Sequence, residues 1–184
     1  MTAEGRAAAF IDRDGVINVD VGYVHQISRF ELLPGVPAAL RRLQEAGYLL
    51  IVVTNQSGIA RGLYTQGDYA HLTQHLRDLL AESGVTLDAI YHCPHLPDAV
   101  VPAYRRQCDC RKPSPGMILR GIDEFGVDAR RSMLVGDKAS DIEAGRAAGI
   151  QWCCLVAADD SAGTGADVIA PDLARCVEAC LALT

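Results

Sequence analysis

Phe10-Ile11-Asp12-Arg13-Asp14-Gly15-Val16-Ile17-Asn18 is the stretch whose reading decides the fold. The apolar run Ala7–Ile11 stops abruptly in two carboxylates flanking an arginine, and the Asp-Gly pair that follows favours a turn. A short run that is apolar at every position suits a strand covered on both faces, which is a strand of a parallel sheet. The same pattern recurs outward along the chain at Leu49–Val53, Ala89–His92, Ser132–Val135 and Trp152–Val156. Between these runs, Val36, Ala39, Leu40 and Leu43 share one helical face, as do Tyr69, Leu72, Leu76 and Leu79. Gly47 and Gly84 read as helix stops, and a third helix is expected to open at Pro115 and close before Gly126. The segments Ala139–Ala148 and Leu173–Leu183 supply two more.

Strands alternating with helices predict a single α/β domain over residues 1–184, with a doubly wound, mostly parallel sheet and helices on both faces. Ligands of such sheets bind beyond the carboxyl ends of the strands. The polar residues after each apolar run are therefore the candidates for chemistry. The stretch Asp159–Asp167 reads as a surface loop, and its Gly163-Thr164-Gly165 lacks the third glycine and the preceding strand of a dinucleotide fingerprint.

Composition narrows the partners. The 184 residues carry 17 Lys and Arg against 23 Asp and Glu, a net charge of −6, and 49% are apolar. An acidic balance argues against nucleic acid, whose affinity comes mostly from cations neutralising phosphates. No run approaches the ~20 apolar residues of a membrane span, and the N-terminal run does not read as a signal peptide. A cytoplasmic, reducing location is expected, where clustered cysteines point to metal or chance burial rather than disulfides. A monomer acting on a small molecule is the expected state.

After the strands come Asp12-Arg13-Asp14-Gly15, then Thr54-Asn55-Gln56-Ser57-Gly58, then Gly136-Asp137-Lys138 with Asp141 nearby, while Cys110-Arg111-Lys112-Pro113 precedes the third helix. Two carboxylates at one strand end repel each other and repel a phosphate; unit charges ~4 Å apart interact by about 4 kcal/mol at an effective dielectric of ~20. A cation must offset that. Mg²⁺ suits oxygen ligands, which Asp12 and Asp137 could supply together with substrate phosphate. Lys112 could neutralise a second phosphate oxygen and Thr54 could donate to it. With the metal in place, one aspartate can act as nucleophile and the other as acid and base.

In these motifs the chain resembles the haloacid dehalogenase superfamily of phosphohydrolases. That resemblance rests on Asp12-x-Asp14, Thr54, Lys112 and the acidic motif at Asp137, and it covers Ala9 to Val156. It implies the Rossmann-like fold of that superfamily, without a large cap domain. Val16 stands where Thr is usual, and Ser114 occupies a variable slot; neither departure touches the chemistry. The resemblance implies that Asp12 forms an aspartyl-phosphate and that Asp14 protonates the leaving alkoxide and then activates water. Mg²⁺ would be held by the carboxylates of Asp12 and Asp137 and the backbone carbonyl of Asp14, and Thr54 and Lys112 would stabilise the transferring group. It further implies a sugar bisphosphate substrate contacted by Arg13, Asp20, Val21, Gly22, Tyr23, Asn55, Gln56, Ser57, Arg111 and Lys138. A receiver-like module that stores a phosphoryl group is disfavoured by Asp14, since a positioned acid and base shortens the phospho-state.

Cys93-Pro94-His95 and Cys108-Asp109-Cys110 bring together three thiols and an imidazole, a set that Zn²⁺ accepts. Their one-residue gaps are tighter than the usual finger spacing, so spacing alone leaves free thiols as the alternative. The resemblance implies a structural zinc-binding loop here, at about 93–110, held by Cys93, His95, Cys108 and Cys110. Cys153, Cys154, Cys176 and Cys180 lie in apolar contexts and read as small core residues. His25, His71, His75 and His92 have no carboxylate constellation around them and read as surface or satisfied histidines.

Overall fold

The computed structural model describes residues 5–158 and 164–183; residues 159–163 of the expected loop, with Gly163 of its glycine pair, lie outside them. Among the described residues six parallel strands form one sheet in the order β3-β2-β1-β4-β5-β6. They are β1 (Ala8–Ile11), β2 (Leu49–Asn55), β3 (Ala89–Cys93), β4 (Met133–Gly136), β5 (Trp152–Val156) and β6 (Val168–Ala170). The helices are α1 (Val36–Glu45), α2 (Gln66–Glu82), α3 (Gly116–Phe125), α4 (Ala139–Ala147) and α5 (Leu173–Leu181).

Alternation along β1 builds two cores. Ala9 and Ile11 face the layer that α1, α2 and α5 contribute through Leu40, Leu76 and Val177. Ala8 and Phe10 face α3 and α4, through Ile118 and Ile142. Both faces are therefore dry, which is why β1 is apolar at every position and stops only where it leaves the sheet. Cys153 belongs to the second core, while Cys154, Cys176 and Cys180 belong to the first, all with no solvent exposure.

The structure adjusts several boundaries. β2 runs on through Thr54 and Asn55, whose Cα partners on β3 are His92 and Cys93. Pro115 is the N-cap of α3 rather than its first turn. Leu80 takes the fully buried place on α2, and Leu79 is only partly buried. The sixth strand, unannounced by any long apolar run, pairs with β5 over three residues. Gly47 and Gly84 follow α1 and α2 with φ of 86° and 74°, the left-handed turn that favours glycine.

The sheet order reverses direction between β1 and β4, whose register pairs Ile11 with Val135. Chains leaving those two strands diverge to opposite faces and open a crevice between them. Asp12 follows β1 and Asp137 follows β4, so their meeting is a consequence of topology.

Candidate active site

Past the carboxyl ends of β1, β2 and β4 lies a cleft of about 560 Å³. Asp12, Asp14, Asp20, Gly22, Tyr23, Thr54, Asn55, Gln56, Ser57, Arg111, Lys112 and Lys138 all line it. Two residues expected to touch substrate, Val21 and Arg13, are absent from its lining. Val21 is exposed and off the cleft wall, and Arg13 is 1% exposed beneath it. Arg13 turns inward because its guanidinium has a partner there: Nε and Nη2 hold the Asp14 carboxylate at 2.9–3.1 Å, and Nη2 also donates to the carbonyl of Val24.

The cleft floor is a chain of ionic contacts. Lys112 Nζ donates to Asp12 Oδ1 at 2.9 Å, to Asp141 Oδ1 at 2.6 Å and to the carbonyl of Val53 at 2.8 Å. All three ammonium hydrogens thus have acceptors. Burial works against the charge of Lys112, but Asp12 and Asp141 outweigh it and push its pKa up, so it remains an ammonium. Asp12 Oδ1 also accepts from the backbone N–H of Arg13, which leaves Oδ2 uncommitted. Asp141 is held from its other side by the backbone N–H of Lys138, in the first turn of α4.

Ligand oxygens of Asp12, Asp137 and Asp141 lie within 4.8 Å of one another. Burial pushes Asp137 up to about 6 against a hydrogen bond from Lys138, and the carboxylates of Asp12 and Asp141 add to the rise. Three hard oxygen donors that repel one another in a largely buried cluster fit Mg²⁺, a cation that takes oxygen ligands and relieves that repulsion. Gly15 permits the approach: its φ is 86°, and a Cβ there would meet Asp137 Oδ2 at 2.5 Å.

Asp14 sits one layer back. Its Oδ1 accepts from Arg13 and from Asn18 Nδ2, and its Oδ2 from Arg13 and from Gln56 Nε2. Asn55 exchanges two hydrogen bonds with the backbone N–H and carbonyl of Lys112, each 3.1 Å, so its amide fixes the lysine's loop. Arg111 Nη1 is buried without a hydrogen-bond partner among the described residues. Tyr64 and Ser140 also line the cleft, beyond the residues that the sequence points to. Neither follows an apolar run at a telling spacing, so the sequence carries no signal for them.

The second cluster stands at the end of β3. Sulfur atoms of Cys93, Cys108 and Cys110 lie 3.0–3.5 Å apart, and His95 Nδ1 is 3.4 Å from Cys110 Sγ. Burial pushes the Cys93 thiol well above its ordinary range. Burial alone would raise Cys108 too, but hydrogen bonds from Cys110 and Cys93 bring it below the usual thiol value. Three soft sulfurs and one imidazole nitrogen, mutually close, are a donor set that suits zinc. Ligation through Nδ1 requires the ring proton on Nε2, so Arg106, a donor now 2.6 Å from Nε2, must swing aside.

The histidines stay outside both clusters, apart from His95. His25 stacks on Tyr64, His75 meets the ring of Phe30 edge-on, and His92 bonds Gln66. Among the described residues no helix is long and apolar enough to cross a membrane.

The chain and its fold have known relatives. A family model described as haloacid dehalogenase-like hydrolase matches residues 2–149. The D-glycero-beta-D-manno-heptose-1,7-bisphosphate 7-phosphatase of Yersinia pestis is 50% identical over 149 residues, 81% of this chain and 79% of that protein. The D-glycero-alpha-D-manno-heptose-1,7-bisphosphate 7-phosphatase of Photorhabdus laumondii is 49% identical over 148 residues, 80% of this chain and 81% of that protein. A crystal structure of D,D-heptose 1,7-bisphosphate phosphatase from B. bronchiseptica, complexed with magnesium and phosphate, superposes with a TM-score of 0.83 at 33% identity, covering 97% of this chain and 99% of that one.

Proposed function

The chain belongs to the haloacid dehalogenase-like hydrolases, and within that family we propose that it removes the 7-phosphate of D-glycero-D-manno-heptose 1,7-bisphosphate. The observation that carries the chemistry is the convergence of Asp12, Asp137 and Asp141 beside the buried ammonium of Lys112, in a cleft that Asp14 and Thr54 share. The substrate comes from the relatives, which are named for both anomers at nearly equal identity. In that role the protein would serve the synthesis of ADP-heptose and the lipopolysaccharide core.

The hydrogen bonds of the site support the following sequence of events. Asp12 Oδ2, left free by the two donors on Oδ1, attacks phosphorus; the bond to the sugar oxygen breaks and that oxygen takes a proton from Asp14. Asp14 then accepts a proton from water, whose oxygen attacks the phosphorus of the aspartyl-phosphate and releases phosphate and Asp12. Both oxygens of Asp14 now hold protein donors, so each proton transfer requires one of these bonds to be exchanged for the substrate or water oxygen. Lys112 and the Thr54 hydroxyl stabilise charge on the transferring oxygens. Bound Mg²⁺, held by Asp12, Asp137 and the carbonyl of Asp14, would neutralise the repulsion between these carboxylates and the phosphate.

The test is phosphate release from both heptose bisphosphate anomers, fructose bisphosphate and histidinol phosphate. Fastest release from a heptose bisphosphate is expected; histidinol phosphate as the best substrate would overturn the assignment. A receiver-like role would instead show stoichiometric, long-lived labelling without phosphate release.

Arg111 is the proposed clamp for the phosphate that stays. Among the described residues its buried Nη1 has no hydrogen-bond partner, and a guanidinium can grip a phosphate bidentately. Arg111→Ala should cut kcat/KM for the bisphosphate by about 10- to 150-fold, the equivalent of a charge-assisted pair of about 1.5–3 kcal/mol. A monophosphate lacking the second group should lose far less. Equal losses would assign Arg111 to the reacting phosphate.

A further inference from the structure

Gln56 lines the cleft, and the resemblance to phosphohydrolases counts it among substrate contacts, yet its hydrogen-bonding groups are spent inside the protein. Nε2 donates to Asp14 Oδ2 and to Thr54 Oγ1, both at 2.9 Å. Oε1 accepts from the Tyr64 hydroxyl at 2.5 Å and from Arg13 Nη2 at 3.4 Å. Its backbone N–H is bonded to the carbonyl of Cys93, and its carbonyl accepts from Ile59. The residue is 2% exposed.

We infer that Gln56 is a positioning residue, which fixes the carboxylate of Asp14 and the hydroxyl of Thr54 relative to each other, and that Tyr64 keys its orientation; the inference rests on the phosphatase reading above. An amide has one acceptor end and one donor end. Tyr64 and Arg13 present donors to Oε1, so Nε2 must face Asp14 and Thr54, and the amide has one orientation only. Burial pushes the Tyr64 phenol well above its ordinary range, so it keeps the proton that it donates to Oε1. The ring is held in turn, stacked at 10° on His25 and packed against Gly58, where any Cβ would run into it. His25 Nδ1 lies 2.8 Å from the carbonyl of Tyr23, on the loop with Asp20 and Gly22 that closes the other side of the cleft. The effect on Thr54 is specific. With Oγ1 already accepting from Gln56, its hydroxyl hydrogen is left to donate into the cleft that Thr54 lines.

The test is Gln56→Met, which keeps the length and removes all four side-chain bonds. A sugar leaving group needs the proton of Asp14, whereas an aryl oxide departs without it. Loss of alignment at Asp14 should therefore lower kcat/KM for the sugar bisphosphate by about 100-fold and for 4-nitrophenyl phosphate by only about 10-fold, with KM changing little. Equal losses on both substrates, or a raised KM with unchanged kcat, would overturn the inference and mark a structural role or a direct substrate contact. Tyr64→Phe keeps the stacked ring and removes the keying hydroxyl, so it covers the case where the methionine variant does not fold. It should show the same preference for the aryl substrate on a smaller scale, about threefold, and a loss without that preference would count against the inference. Wild-type protein that releases no phosphate would sink the phosphatase reading itself, which separates the two failures.

Discussion

Asp12→Asn is expected to abolish phosphate release from every substrate while the protein stays folded. The amide oxygen can still accept from the Arg13 backbone N–H, and Lys112 keeps Asp141 at 2.6 Å and the Val53 carbonyl, so no buried cation is stranded. What disappears is the proposed attacking oxygen, and phosphate-monoester hydrolysis without catalysis is among the slowest reactions that enzymes accelerate. Asp14→Asn should behave differently, since it removes the proposed acid and base but not the proposed nucleophile. With an aryl phosphate the first step should survive, and phosphoenzyme should accumulate because water is no longer activated. With a sugar phosphate the reaction should stall before the first step, at a cost of about 10²–10⁴ in rate. The amide introduced by Asp14→Asn also presents a donor to groups that are themselves donors, Arg13 and Gln56. A loss of about 1–3 kcal/mol in stability should accompany the variant, and denaturant titration would show it. The decisive measurement is covalent phosphate trapped after mixing each variant with an aryl phosphate and Mg²⁺. Labelling of the Asp12 variant but not of the Asp14 variant would mean that the two roles are reversed; full activity in both would mean that the site is wrong.

Much of this was open to a reader of the sequence because buried parallel strands announce themselves. Ala8–Ile11 and Leu49–Val53 are apolar on both faces for the same reason that the residues after them are not: the sheet ends there and the cleft begins. Asp12, Thr54, Lys112 and Asp137 could thus be gathered from their places in the chain. What escaped depends on direction rather than spacing. Arg13 lies between two acidic residues of the cleft floor, and nothing in the sequence says that its side chain dives under them to Asp14 and the Val24 carbonyl. Asp141 was only a neighbour of Asp137 until the first turn of α4 carried it back onto Lys112. Tyr64 reaches Gln56 from the approach to α2, across a backbone that passes close only because position 58 is glycine. The edge strand β6 is three residues long, too short for its apolar content to stand out.

Removal of zinc is expected to lower stability and activity together. Cys93 closes β3 in register with Asn55, and its carbonyl accepts from the backbone N–H of Gln56. Asn55 in turn holds Lys112 by two hydrogen bonds, and Lys112 is two residues beyond Cys110. Both ends of the cluster therefore run directly into the cleft wall. On the far side the carbonyl of Asp109 accepts from Gly116 at the start of α3, so tightly that a Cβ at 116 would lie 2.5 Å from that oxygen. A metal joining Cys93, His95, Cys108 and Cys110 would hold all of these contacts at once, and its binding free energy would add directly to that of folding. At a free zinc concentration about 1,000 times its dissociation constant the contribution is about 4 kcal/mol, or a fall in Tm of roughly 8–16 °C on removal for a domain of this size. Cys108→Ser should reproduce most of that fall, because oxygen is the poorer zinc ligand, and should release metal from the purified protein. Since thiols must lose their protons to bind, chelation should become easier as pH falls. Metal content, Tm and phosphate release measured on one preparation decide the matter. About one zinc per chain is expected before chelation, and a zinc-free preparation with an unchanged Tm and full activity would show that the four side chains meet without a metal to hold.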